Sequence, residues 1–233
     1  MGAWFDTFKD KFYNDFIKDD RWRYLWEGLG VTLQITFFAI IIGIVLGFII
    51  AVIRSTHDMT GKMKVGNAIC KFYLTIFRGT PVVVQLMIIY FVIFAAVDID
   101  KTFVAVIAFG LNSAAYVAEI FRSGIMSLDR GQFEASRSLG LNYPRTMISV
   151  IMPQAFKNVL PALANEFIVL LKETSVFGYI ALQDLTKAGD IIKGRTFDPL
   201  LPLIAVALIY LILVVGLSAL VSRLERRLRN SDH

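Results

Sequence analysis

Long apolar blocks separated by short charged stretches organise the chain. The first runs from Val31 to Ile53 and closes at Arg54. The second lies within Lys71 to Val97 and is interrupted by Arg78, Gly79, Thr80 and Pro81. The third covers Phe103 to Ile120. The fourth, Phe156 to Val176, carries Asn165 and Glu166, and the fifth runs from Leu200 to Val221 and stops at Arg223. A helix needs about 20 mainly apolar residues to cross a bilayer. In lipid, each backbone amide must find its partner within the span. The pattern therefore predicts an all-α integral membrane protein with five transmembrane helices. Gly43 and Gly47 in the first block form a small-xxx-small pair, the mark of close helix packing.

An odd number of spans puts the termini on opposite sides, and charge decides which. Segments 54–71 and 122–157 each carry a net +3, and 223–233 carries +2. On the other side, 1–27 and 98–101 each carry −1, and 172–198 is neutral. Basic loops stay cytoplasmic, so the N-terminus is expected outside and the C-terminus in the cytoplasm. The divisions are then an external amphipathic segment at 1–27, a transmembrane domain at 28–222 with a cytoplasmic loop at 123–155, and a basic cytoplasmic tail at 223–233. In the first of these, Trp4, Phe5, Phe8, Phe12 and Phe16 follow helical spacing among Asp6, Lys9 and Asp10. Such a helix either lies on the outer membrane surface or packs on the rest of the protein. It lacks the apolar core of a cleavable signal. Trp22, Tyr24 and Trp26 suit the interfacial aromatic belt.

Composition narrows the function classes. The 233 residues are 56% hydrophobic, with a mean hydropathy of +0.63, against about 45–50% apolar residues in soluble domains. A soluble enzyme, a disordered chain and a disulfide-stapled domain are excluded. Cys70 is the single cysteine and has no intrachain partner for a disulfide. The net charge of +5 is spread over three segments instead of forming one stripe, so no nucleic-acid partner is expected. No G-x-x-x-x-G-K-[ST] loop occurs to cradle ATP. No metal-ligand spacing or nucleophile elbow occurs either, and His57 and His233 read as solvated. The chain is expected to have no catalytic site, cofactor or metal of its own.

Three patterns remain. Arg130 to Phe156 divides at Gly140, followed by Asn142 and Pro144. Gly ends helices and Pro begins them, which predicts an αα-hairpin with Glu134, Ala135 and Ser136 on its first helix. Small side chains there permit close approach by a partner, although any helix–Gly–Pro–helix loop shares the pattern. Second, Asn112, Tyr116, Glu119 and Ser123 share one helix face, and Asn158, Asn165 and Lys172 repeat every seven residues beside Glu166 and Glu173. A charge at mid-bilayer costs at least about 2.5–3.5 kcal/mol. These stripes must face a wet pathway or other helices, and Glu119 has Arg122 as an alternative partner. Third, Arg78-Gly79-Thr80-Pro81 breaks the second helix, because Pro81 lacks an amide donor. The kink either bends during function or only shapes packing.

The loop also resembles a known family. Glu134-Ala135-Ser136, three residues, Gly140, nine residues, Val150, one residue, Met152-Pro153 is similar to the EAA loop of ABC importer permeases. The family pattern is Glu-Ala-Ala, three residues, Gly, nine residues, Ile, one residue, Leu-Pro. YLWEGLGVTL at 24–33, FRGTPVVVQL at 77–86, LNSAAYVAEIFRSGI at 111–125 and LPALANEFIVLLKETS at 160–175 narrow the resemblance to the polar amino-acid (histidine/glutamine permease) branch. The resemblance implies a type I ABC importer permease in the bacterial cytoplasmic (inner) membrane. Glu134, Ala135, Ser136, Gly140 and Pro153 would couple to a separate ABC ATPase subunit that holds ATP and Mg. It further implies a second permease chain, identical or sister, an external solute-binding protein, and a polar amino acid carried by alternating access. Asn112, Tyr116, Glu119, Asn165 and Glu166 would border the pathway or gate. Composition and topology alone equally allow a passive channel or a membrane-integral scaffold, and the docking hairpin discriminates between the readings.

Overall fold

The computed structural model describes the course of residues 2–230 and the side chains of residues 6–228. The expectations for the Trp4 and Phe5 side chains and for His233 lie outside the described residues. Among these residues every regular element is helical. The helices are α1 (Gly2–Phe12), α2 (Trp22–Thr60), α3 (Lys64–Gly79), α4 (Val82–Ile88), α5 (Lys101–Met126), α6 (Arg130–Ser138), α7 (Tyr143–Thr146), α8 (Met152–Glu173), α9 (Leu185–Thr196) and α10 (Leu200–Asn230). A π-turn, Ile89–Ile93, extends α4, another, Met147–Ile151, joins α7 to α8, and a 3-10 turn, Thr174–Ile180, extends α8.

Four helices are long and apolar enough to cross a membrane: Trp22–Thr60, Lys101–Met126, Tyr143–Ile180 and Leu200–Leu228. Lys64–Gly79 and Val82–Ile93 make a fifth only if taken together, and they meet at 108°. The five apolar blocks are thus all helical, with three differences from the sequence pattern. The second block is broken outright instead of kinked. Its arms reach about 24 and 18 Å at 1.5 Å per residue, so neither alone crosses about 30 Å of hydrocarbon. Second, α2 has 39 residues and overshoots its apolar block at both ends; it stops where Gly61 turns left-handed at φ 68°. Third, the far arm of the 123–155 hairpin is the start of the fourth span. The helix runs on from Tyr143 through the π-turn, where the i→i+5 pattern absorbs Pro153 and its missing donor.

α2 and α5 run side by side in the same direction, and glycines let them touch. A Cβ on Gly43 would lie 2.7 Å from Ser113 Oγ, and one on Gly47 2.7 Å from Val117 Cγ1 and 2.9 Å from the Ala114 carbonyl. Reciprocally, across the same interface, Gly110 of α5 meets Ile42 of α2. α8 returns antiparallel, with Gly124 of α5 under Val159 and Phe109 edge-on to Phe177 at 4.7 Å. By contrast, Leu203, Ile204, Leu208, Leu211, Ile212 and Val215 of α10 stay exposed, an apolar surface that marks lipid or partner contact.

The end of the bundle away from the hairpin has an element that the block pattern did not foresee. Asp184 caps α9, its carboxylate accepting from the amides of Thr186 at 3.1 Å and Lys187 at 3.0 Å. The Leu185 amide donates to Thr32 Oγ1 of α2 at 3.1 Å. The N-terminal segment is clasped onto this corner. Lys11 Nζ pairs with Asp198 Oδ2 at 3.1 Å, and Phe16 is buried with Leu25, Leu185, Ile192 and Val206. Phe8 and Phe12 remain exposed. The segment therefore packs through its end, with the rings of Phe8, Phe12 and Phe16 in contact in series. Asp15 is fully buried, and burial, helped by the nearby Asp198 carboxylate, raises its pKa against the opposing pull of Thr196, Lys11 and Arg21.

The helix contacts predict a sharp contrast between glycines. Gly47→Leu drives a side chain into the α5 backbone, and overpacking of this kind costs about 1–3 kcal/mol. Gly216→Ala, where an added Cβ meets nothing within 4 Å, is expected to leave the thermal midpoint in detergent unchanged while Gly47→Leu lowers it by several degrees.

Candidate functional site

The hairpin of α6 and α7 is built by caps. Asp129 starts α6, its Oδ1 accepting from the Gly131 amide at 2.8 Å. At the other end the Gly140 amide donates to the Arg137 carbonyl at 3.0 Å and the Leu141 amide to the Ser136 carbonyl at 3.2 Å, the paired bonds of a Schellman motif. Gly140 sits at φ 83°, and nothing lies within 4 Å of its absent Cβ. Backbone conformation, and not crowding, therefore calls for glycine. Asn142 restarts the helix, its Oδ1 accepting from the Arg145 amide at 3.1 Å.

The hairpin is fixed to the membrane helices. Ile125, Met147, Ile151 and Ala155 form a buried cluster with Met59, Phe133 and Tyr143 packed against it. The Tyr143 hydroxyl donates to Thr56 Oγ1 of α2 at 3.2 Å. Within the motif the residues divide. Ser136 is buried, its hydroxyl donating to the Gln132 carbonyl at 2.7 Å. Glu134, Ala135, Gly140 and Pro153 are exposed. Glu134 borders a cavity of about 220 Å³ shared with Asp58, Asp129 and Arg130.

A second constellation lies between α2, α3 and α5. Glu119 of α5 pairs with Arg54 of α2, with Arg122 at 3.3 Å and with Arg78 at 3.7 Å. Arg122 also holds Asp58 at 3.0 Å, and the Arg78 guanidinium lies 5.8 Å from the Tyr116 ring centroid. The Arg122 contact anticipated for Glu119 is present, within a larger network. Arg54 looked like no more than the end of a span; its role could have been suspected because Arg54, Arg78 and Glu119 are lone opposite charges bounding apolar runs.

A groove of about 490 Å³ opens beside this network, lined by Arg78, Tyr116, Glu119, Ser123, Asn158 and Glu166 among others. Glu166 Oε1 accepts from Ser113 Oγ at 3.3 Å. Asn165 is exposed on the neighbouring side of α8 and does not line this groove.

Asn112 points elsewhere. It is buried, and its Nδ2 donates to Gln85 Oε1 at 2.8 Å. Gln85 Nε2 in turn donates to the Phe77 carbonyl at 2.9 Å, the Thr80 carbonyl at 3.0 Å and Thr80 Oγ1 at 2.8 Å. Thr80 and Pro81 are both extended, so the break frees carbonyls that lipid cannot satisfy. Gln85 and Asn112 satisfy them. The signal for Gln85 was an amide inside the apolar run after Pro81.

A helical transmembrane bundle, a capped hairpin at one end and a polar groove between its helices define a multi-pass membrane transport subunit. Residues 40–230 match the family of binding-protein-dependent transport system inner membrane components. The chain is 40% identical over 211 residues to the arginine transport system permease protein ArtQ of Bacillus subtilis, covering 90% of this chain and 94% of that protein. A solved amino acid ABC transporter with histidines is 42% identical, with a TM-score of 0.80 over 88% of this chain and 94% of that one. The inward-facing MetNI methionine ABC transporter, at 21% identity, shares the fold with a TM-score of 0.77 over 91% of this chain and 99% of that one. The chain belongs to the binding-protein-dependent inner membrane component family and is a permease subunit of the ABC importer kind.

The network at the break makes a separable prediction. Gln85→Leu strands buried carbonyls and the Asn112 amide, at about 1–3 kcal/mol for an unmade buried bond. Thermal unfolding of the solubilised chain should move down, and Gln85→Leu with Asn112→Leu should cost less than the sum of the two, because the residues share one network.

Proposed function

We propose that this chain carries a polar amino acid across the bacterial cytoplasmic membrane by alternating access, with five spans, an outside N-terminus and a cytoplasmic C-terminus. A separate ABC ATPase subunit binds ATP and Mg beneath the hairpin, a second permease chain completes the pathway, and an external solute-binding protein delivers the substrate. The likeness to an arginine permease and to an amino acid transporter supports the substrate class.

One observation carries the coupling part of this reading. The hairpin is capped at both ends, seated on α2, and continuous through α7 and α8 with the span that bears Glu166. A pull on α6 is therefore delivered along an unbroken helix of 38 residues. ATP closes the ATPase dimer, the hairpins approach, and α8 turns its groove face outward; hydrolysis resets it. Exposed Glu134, Ala135, Gly140 and Pro153 meet the ATPase, while buried Ser136 keeps α6 close to its own core. Tyr116, Glu119 and Glu166 border the substrate path, Asn165 lies at its edge, and Asn112 holds the break at Arg78, Gly79, Thr80 and Pro81 in shape. A passive channel leaves the capped hairpin without a task.

Gly140→Val forces a β-branched residue into the left-handed region, whereas Gly140→Asn tolerates it. In the reconstituted complex, Gly140→Val or Glu134→Lys should abolish uptake and substrate-stimulated ATP hydrolysis while the permease stays inserted. Gly140→Asn should retain most of both. Normal uptake by Gly140→Val and Glu134→Lys would remove the docking role.

The charge split supports the orientation. In a Cys70→Ser background, Asp20→Cys should label with an impermeant thiol reagent in intact cells and Ser231→Cys should not. The reverse pattern inverts the topology.

A further inference from the structure

The groove beside Glu166 is not the only opening on the charged network. On its other side a cavity of about 460 Å³ is lined by Arg54, Lys71, Leu74, Thr75, Arg78, Gly79 and Glu119. Its charges do not balance: Arg54, Lys71 and Arg78 face a single acid, Glu119, which Arg54, Arg122 and, at 3.7 Å, Arg78 already share. The Lys71 ammonium has no partner among the described residues. Arg54 closes the apolar block of α2, so this excess of positive charge lies where the hydrocarbon ends.

The same helix offers something apolar. Leu74, Cys70 and Asn67 of α3 turn inward, while Val65, Ile69, Phe72 and Ile76 are exposed, Phe72 at 70%. The spacing of four, three and four residues puts them on one stripe of the helix, alongside Lys71 and Thr75. A cationic hollow that opens beside an uncovered apolar stripe is complementary to an amphiphilic anion. Basic pockets between membrane helices on the cytoplasmic side take anionic lipid headgroups.

We propose that the cavity between Arg54, Lys71, Thr75 and Arg78 binds the phosphate of an anionic phospholipid, whose acyl chains lie along Ile69, Phe72 and Ile76. The phosphate oxygens accept from the Lys71 ammonium and the Arg78 guanidinium, while the Thr75 hydroxyl stays on the Lys71 carbonyl at 2.9 Å. Glu119 remains with Arg54 and Arg122, and the lipid supplies the counter-charge that the helices lack. The assignment of this lipid to the inner leaflet rests on the orientation proposed above; the binding chemistry does not.

The test uses the full-length permease in lipid nanodiscs, released into the gas phase for native mass spectrometry. The discs contain equal phosphatidylglycerol and phosphatidylcholine. Wild type should retain phosphatidylglycerol in preference, and Lys71→Gln should reduce that preference about fivefold, the effect of one near-surface cation. Lys71→Arg should restore it. Lys71 lies outside the hairpin and the Glu166 groove, so the variant should still assemble with the ATPase, which separates this outcome from a failure of the transport reading. Equal retention of the two lipids, or an unchanged preference in Lys71→Gln, overturns the proposal. So does displacement of the lipid by millimolar inorganic phosphate, which marks a site for free anions. A Phe72→Cys chain that crosslinks to a second copy through that residue also overturns it, because the stripe is then a protein interface.

Discussion

The rest of the molecule depends on the backbone approach of α2 to α5. Glycine at positions 43, 47 and 110 removes the side chains that would hold the two helices apart. The approach fixes their register, and the register sets the polar chemistry. At one level it leaves Ser113 facing Glu166 of α8; further along it brings Arg54 onto Glu119. Shifting α2 along α5 by one turn, about 5.4 Å, would pull Arg54 away from Glu119 and drive other side chains into the Gly43–Ser113 contact. In lipid, helix association has no hydrophobic drive of its own and rests on such close packing.

The broken second span follows from the same constraint on buried polar groups. Two extended residues, Thr80 and Pro81, end one arm before the next begins. The carbonyls released there lie beside α5, where Gln85 donates to those of Phe77 and Thr80 and Asn112 holds Gln85 in place. Arg78, one turn earlier, reaches Glu119 and Tyr116. The break therefore sits between a neutral network that holds its backbone and a charged network that touches the groove.

Much of this was legible in the residues. The apolar blocks found every membrane helix, because the period of burial is averaged over about 20 positions. Gly140 and Asn142 announced the hairpin turn, because a left-handed terminus and a side-chain cap are local chemistry. The extent of the break was not legible: Pro81 alone implies a lost hydrogen bond, whereas 108° requires Thr80 to be extended as well. Helix α9 was hidden because it is short and mixed in polarity, and its start depends on Asp184 docking against Thr32 of a distant helix. The direction of Asn112 was equally closed to sequence. Its spacing put it on the same face as Tyr116 and Glu119, but a partner 27 residues away draws its amide to the break.

The clasp between Lys11 and Asp198 sets an order of events during synthesis. The two residues are separated by nearly the whole chain, and Asp198 emerges only after the first four apolar blocks have been made. At about 5–20 residues per second, the N-terminal segment waits on the order of ten seconds or more before its anchor exists. Until then Asp15 and Phe16, both buried in the finished protein, have no cover, and Phe8 and Phe12 can keep the segment at the membrane surface. Closure of the clasp reports that α9 and the start of α10 have arrived beside α2. A chain truncated before Asp198 lacks the partner of Lys11 and leaves its N-terminal segment unclasped.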